Sequence, residues 1–191
     1  MKKFRFILLA FATILFPVTM VSCGDDDEPA VPEEPTKEDP VPVSIKITET
    51  FSPSNDVLDL YDVTLTYFDG KENKVVALDG KKTIEATASL PTTYGVMVAL
   101  KLHDGVTEET LTKEQYDLTV SFNSPCLKYY DEKGNVIEAL TKNFDSLTPV
   151  GFPQGGPSTV FKLDGIKMIH LAWEYAKDGS ISSIDDYWDN Y

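Results

Sequence analysis

The sequence predicts an all-β domain, an antiparallel β-sandwich, and three observations predict it. Short stretches alternate apolar and polar residues, as in Tyr116-Asp117-Leu118-Thr119-Val120-Ser121-Phe122, which is the pattern of a strand with one face in a core and the other in water. Asp-Gly pairs at 69–70, 79–80, 104–105, 164–165 and 178–179, with a further turn at Lys133-Gly134-Asn135, separate these stretches. Asp-Gly supplies the positive φ that tight hairpin turns need, so hairpins are the expected connection. No long segment carries the 3.6-residue apolar period of a helix. Roughly nine or ten short strands with that punctuation fit a sandwich or a barrel, and the sandwich is the expected form.

The chain opens with Lys2, Lys3 and Arg5, then the largely apolar run Phe6 to Phe16 and Pro17. A helix needs roughly 20 apolar residues to cross about 30 Å of hydrocarbon, so this run is too short to span. The basic start and the small residue before Cys23 predict a cleaved leader over residues 1–22. Met20-Val21-Ser22-Cys23 resembles a bacterial lipobox. The resemblance implies cleavage by signal peptidase II before a Cys23 that carries a diacylglyceryl group, with Met20 standing where leucine is commonest. Gly24-Asp25-Asp26-Asp27-Glu28 is similar to the acidic export signal of Bacteroidota lipoproteins. That similarity implies display on the outer face of the outer membrane; as a plain solvated linker, the same carboxylates would leave the protein facing the periplasm. Two or three acyl chains, at about 0.8 kcal/mol per buried methylene, hold a protein durably.

Residues 23–42 read as a lipidated tether, with Pro29, Pro32, Pro35, Pro40 and Pro42 set among Glu33, Glu34, Glu38 and Asp39. Proline favours an extended chain at about 3.1 Å per residue and like charges stretch it, giving a reach of up to roughly 60 Å. Residues 43–191 form the single sandwich domain.

Within it, strands are predicted at Ser44–Thr48, Tyr61–Tyr67, 75–78, Thr83–Ala88 and Tyr94–Leu100, the last central because both its faces are apolar. Tyr116–Phe122, 127–130, 135–140 and 159–163 follow. Segment 166–175 fits neither period cleanly and is read as strand over helix. Leu111-Thr112-Lys113-Glu114-Gln115, ahead of Tyr116, resembles the helical corner before a tyrosine-corner strand in immunoglobulin-like domains. A short C-terminal helix is expected, capped by Ser182 or Ser183, with Asp185 and Asp186 in its first turn and Ile181, Ile184, Trp188 and Tyr191 on one side.

Charge narrows the function. The chain carries 31 acidic and 17 basic side chains. Beyond residue 22 the 14 basic groups are all lysine, a balance of −17, so the neutralising charge and the arginine forks that bind phosphate backbones are missing and no nucleic-acid partner is expected. With Cys23 lipidated, Cys126 has no partner for a disulfide, and the domain must hold by its core. Beside Pro125 and Leu127, Cys126 reads as a small buried apolar residue over a thiol nucleophile.

No catalytic residue, metal site or cofactor is expected. His103 precedes a turn and His170 sits among Met168, Leu171 and Trp173, so structural placement outweighs catalysis for both. Pro149 to Pro157, with Gly155-Gly156, reads as a long surface loop and a binding rim, because no Lys-Ser or Lys-Thr follows for a phosphate cradle. Asp185, Asp186 and Asp189 match no calcium loop.

The densest functional signal is aromatic: Trp173, Tyr175, Tyr187, Trp188 and Tyr191 cluster near Glu174, Asp185, Asp186 and Asp189. Flat rings pack on the apolar faces of sugars while nearby polar groups meet the hydroxyls, and the same rings also pack a terminal segment onto a sheet. Trp173, Tyr175, Tyr187 and Trp188 are therefore candidate ligand contacts. The expectation is a non-catalytic outer-membrane lipoprotein whose domain binds extracellular glycan or assists an outer-membrane protein complex. The alternative is a structural or adhesive subunit that pairs an exposed edge strand with a partner chain.

Overall fold

A computed structural model describes residues 39–189. The leader, Cys23, the residues Asp25, Asp26, Asp27 and Glu28, and Tyr191 lie outside the described residues. The domain is a sandwich of two antiparallel sheets. β1 (Ser44–Pro53), β4 (Lys82–Ser89), β6 (Tyr116–Tyr130) and β7 (Thr148–Gly155) form one, in the order β4-β1-β6-β7. β2 (Tyr61–Phe68), β3 (Asn73–Ala77), β5 (Thr92–Leu102), β8 (Lys167–Tyr175) and β9 (Ile181–Ser183) form the other, in the order β3-β2-β5-β8-β9. This order departs from the ABED and CFG sheets of an immunoglobulin constant domain. Two short helices, α1 (Asn55–Leu60) and α2 (Pro157–Lys162), complete it, and among the described residues no helix is long and apolar enough to cross a membrane.

Alternation builds the core. Ile45, Ile47 and Phe51 of β1, Val63 and Leu65 of β2, Tyr94, Val96, Val98 and Leu100 of β5, and Leu118 and Val120 of β6 are all buried, and their burial between the sheets is the main favourable term in folding. Ser54 caps α1 by accepting from the Val57 amide at 3.3 Å, and Asp56 accepts from the Asp117 amide at 2.7 Å, which ties α1 to the start of β6. At the same corner the Lys113 amide donates to the Tyr116 hydroxyl at 3.0 Å, the backward contact that a tyrosine corner makes, although residues 111–115 are not helical.

Several expectations are corrected. Segment 159–163 belongs to α2, not to a strand: Pro157 starts the helix where its missing amide costs nothing, and Val160 and Leu163, three apart, both turn inward. Segment 135–140 gives a single bridge, Val136 to Tyr130, and then a 3-10 turn at Glu138–Leu140. The proposed loop at 149–157 is mostly strand β7, which tolerates Pro149 and Pro153 because it lies at a sheet edge. The C-terminal helix is absent among the described residues. Ile181–Ser183 instead pairs with β8, and Asp185 to Asp189 form bends and turns; an edge ladder satisfies backbone groups that a helix of a few residues would leave open.

Only some of the Asp-Gly turns close hairpins. Asp69-Gly70 joins β2 to β3 and Asp178-Gly179 joins β8 to β9, both with positive φ at glycine. Asp79-Gly80 leads from β3 into the opposite sheet, Asp104-Gly105 follows β5 on its way to β6 in the other sheet, and Asp164-Gly165 links α2 to β8.

Candidate functional site

The alternation that turns Ile45 and Ile47 inward on β1 continues to Glu49, which is 1% exposed. A buried carboxylate needs partners or a proton, and the sheet supplies partners. The register between β1 and β6 runs Thr48 with Cys126 and then Thr50 with Asn123, so Ser124 and Pro125 together oppose Glu49. Such a bulge re-aims a side chain. Here the Ser124 hydroxyl donates to Glu49 Oε1 at 2.9 Å, and the Tyr94 hydroxyl donates to Oε2 at 2.8 Å. Burial pushes the Glu49 carboxyl up to about 7, against these two hydrogen bonds, which favour its ionised form. Burial, with Glu49 beside it, also holds the Tyr94 hydroxyl well above its ordinary value.

Above this network lies a groove of about 270 Å³. Tyr94 pairs across the ladder with Trp173, and their rings stack with centroids 6.5 Å apart at 16°. Trp173, Phe122, Phe144 and Tyr175 supply its aromatic walls, with Leu127 and Ile181 beside them. Phe144 is 52% exposed. The polar lining consists of Asn123, Ser124, Ser146 and Thr148, and none of the lining residues is charged. The segment carrying Phe144 is fixed to β6: Lys142 and Leu127 exchange backbone bonds, the Phe144 amide donates to the Ser124 carbonyl at 3.2 Å, and the Asn123 side-chain amide donates to the Asp145 carbonyl at 3.1 Å. Asn123 Oδ1 is enclosed and has no hydrogen-bond partner. Partly buried flat rings next to amide and hydroxyl groups can offer a ligand both ring stacking and polar contact.

The four aromatic candidates divide. Trp173 and Tyr175 line the groove, Tyr175 as a buried residue and Trp173 partly open. Tyr187 and Trp188 do not: Trp188 is 4% exposed, its indole N–H donates to the Leu171 carbonyl at 2.9 Å, and Tyr187 meets it edge-on with centroids 4.8 Å apart. The pair sits over Gly95, where a Cβ would lie 2.8 Å from the Tyr187 ring and 2.9 Å from the Trp188 ring. They seal the outer face of β5 and β8.

The other candidates lie elsewhere. His103 Nε2 is 3.3 Å from Asp62, and the exposed His170 has Nδ1 3.2 Å from the Lys167 carbonyl; neither lines the groove. Cys126, expected to be buried, is only partly so, because on β6 it alternates with the inward Leu127 and Tyr129 and falls on the outer face beside Lys46 and Lys128. Asp185, Asp186 and Asp189 are exposed, and among the described residues no three His, Cys, Asp or Glu side chains gather as metal ligands. A larger cleft of about 610 Å³, between Pro40, Val41 and Pro42 and the turns at Leu140 and Lys177, is lined mainly by aliphatic groups and has no aromatic wall.

Sequence reasoning missed Glu49, Ser124 and Phe144. The signal for Glu49 was present, an acid in step with Ile45 and Ile47; the bulge that brings Ser124 to it follows from strand pairing, which no single segment encodes. Compared with known proteins, the chain matches no family model, no curated protein and no solved structure.

Proposed function

We propose that this chain is a lipid-anchored protein of the outer membrane, displayed on the cell surface, whose sandwich captures extracellular glycan without altering it chemically. The observation that carries the reading is the groove at Trp173: a stacking face beside amide and hydroxyl groups, fixed on paired strands and uncharged throughout its lining. Rigid strands hold such a constellation better than loops do. Neither histidine reaches the groove, which supports binding over catalysis. The lipobox resemblance at Cys23 and the acidic residues after it support the anchoring and the surface display.

Intrinsic fluorescence tests capture. Trp173 borders the groove and Trp188 is buried on the far face of the same sheet, so a saturable spectral change on titrating polysaccharides is expected to vanish in Trp173→Ala and to persist in Tyr187→Phe. A response that survives Trp173→Ala would place binding elsewhere. The adhesive reading rests on a separate observation, Val75, which is 68% exposed on the edge strand β3. Concentration-dependent self-association lost in Val75→Lys, with no response to any glycan, would favour it.

A further inference from the structure

We infer that the groove takes a neutral, hydroxyl-rich sugar unit, held from below by the Ser124 hydroxyl as acceptor, and rejects carboxylated and sulfated glycans. This rests on the capture reading above and narrows its ligand.

The direction of each hydrogen bond decides it. A serine hydroxyl has one hydrogen, and Ser124 gives its hydrogen to Glu49 Oε1 at 2.9 Å. The second carboxylate oxygen is already engaged by Tyr94 at 2.8 Å. With Glu49 ionised, Ser124 Oγ can therefore only accept from a ligand. Asn123 is fixed in place and does not add to this: its side-chain N–H donates to the Asp145 carbonyl at 3.1 Å, and its Oδ1 is enclosed, out of reach of a ligand. On the groove's β6 side the Ser124 hydroxyl oxygen is thus an acceptor. Sugar hydroxyls carry hydrogens, whereas carboxylate and sulfate oxygens carry none and would meet oxygen with oxygen.

Charge points the same way. No lining residue is a cation, and the ionisable residue between Phe144 and Ser146 on the rim is Asp145. Lys142 lies on the segment that bridges to Leu127 and does not line the groove. The balance of −17 beyond residue 22 repels polyanions at longer range. Trp173 and Phe144 give the groove aromatic lining for the C–H side of a ring, and about 270 Å³ falls just under the roughly 300–1,000 Å³ of drug-sized sites, which suits one or two units of a polymer passing across.

The test uses the full chain in detergent at about pH 8, above the Glu49 value, with fluorescence and calorimetric titration. The probes are dextran, mannan and xyloglucan as neutral glycans, polygalacturonate and chondroitin sulfate as acidic ones, and the O-methylated form of each neutral glycan that binds. Methylation keeps the ring faces and removes the donors. The expected result is binding of a neutral glycan, unchanged from about 50 to about 500 mM salt, weakened roughly tenfold in Ser124→Ala and lost on methylation. Methylated ligand needs no variant, so it decides even if Ser124→Ala does not fold. Preference for an acidic glycan, or full affinity for the methylated one, would overturn the inference and leave capture standing. Silence toward every probe would overturn both.

Discussion

An ionisable side chain on the inward face of a strand sets a pH dependence that the rest of the core lacks, and Glu49 is such a group. In the unfolded chain its carboxyl titrates near its ordinary value of 4.5; in the fold, burial pushes it up to about 7. Between those values the folded state holds more protons than the unfolded one, so its contribution to stability is fully present below about pH 4.5 and is lost as pH rises through about 7. On the usual 1.36 kcal/mol per pH unit, the loss amounts to roughly 3 kcal/mol by pH 8. Glu49→Gln keeps the shape and can still bond to Tyr94 and Ser124, so it is expected to flatten this slope and to be the more stable protein at pH 8. Denaturant unfolding of both proteins between pH 5 and 8 checks it, and parallel slopes would remove Glu49 as the cause. Asp69, Asp131 and Asp178, held low by hydrogen bonds in their own turns, act in the opposite direction and below that window. At this scale the sequence was half legible. Trp173 stood out as one of two tryptophans, yet nothing local to it separates it from Trp188; the difference arises from which face of β8 each meets.

Elements that alternate cleanly were readable because one buried face is enough to specify a strand, as β2 and β4 illustrate. Those misread were decided by partners. β7 has two prolines and little apolar content, and becomes a strand because β6 is long enough to offer it an edge. The region after β8 becomes a strand and a run of turns because β8 has a free side and Gly95 leaves a flat seat for rings. Gly95→Val is therefore expected to displace Tyr187 and Trp188, costing about 1–3 kcal/mol by overpacking. Thermal unfolding and protease sensitivity near residue 185 measure it, and a variant as stable and resistant as the parent would deny that this seat holds the terminus. Gly151 answers to backbone: at φ +121° an added Cβ would lie 2.2 Å from the Leu118 carbonyl oxygen. Gly151→Ala is expected to weaken the β6–β7 pairing more than Gly155→Ala, whose Cβ would meet a leucine methyl that can turn. Hydrogen exchange at the Val120 and Val150 amides reads that order, and equal protection in the two variants would contradict it.

For the molecule as a whole, the groove has a use only if it faces the medium that holds the glycan, so the proposed anchoring and orientation carry as much of the function as the groove does. A tether rich in proline and acid with a reach of up to roughly 60 Å would lift the domain clear of the lipid headgroups, and a balance of −17 beyond residue 22 would be repelled by an anionic surface, which would keep the domain from lying down on the membrane. Retention then depends on Cys23 alone. Cys23→Ala is expected to release the protein from the membrane fraction and to abolish labelling by a radioactive fatty acid; persistent labelling would refute lipidation at that residue. Orientation depends on the acids that follow. Replacing Asp25, Asp26 and Asp27 by Ala is expected to leave labelling intact while the domain becomes protected from protease added to intact cells, because the lipid would still form and only the leaflet would change. If the domain stays as accessible as in the parent, surface display does not come from those carboxylates.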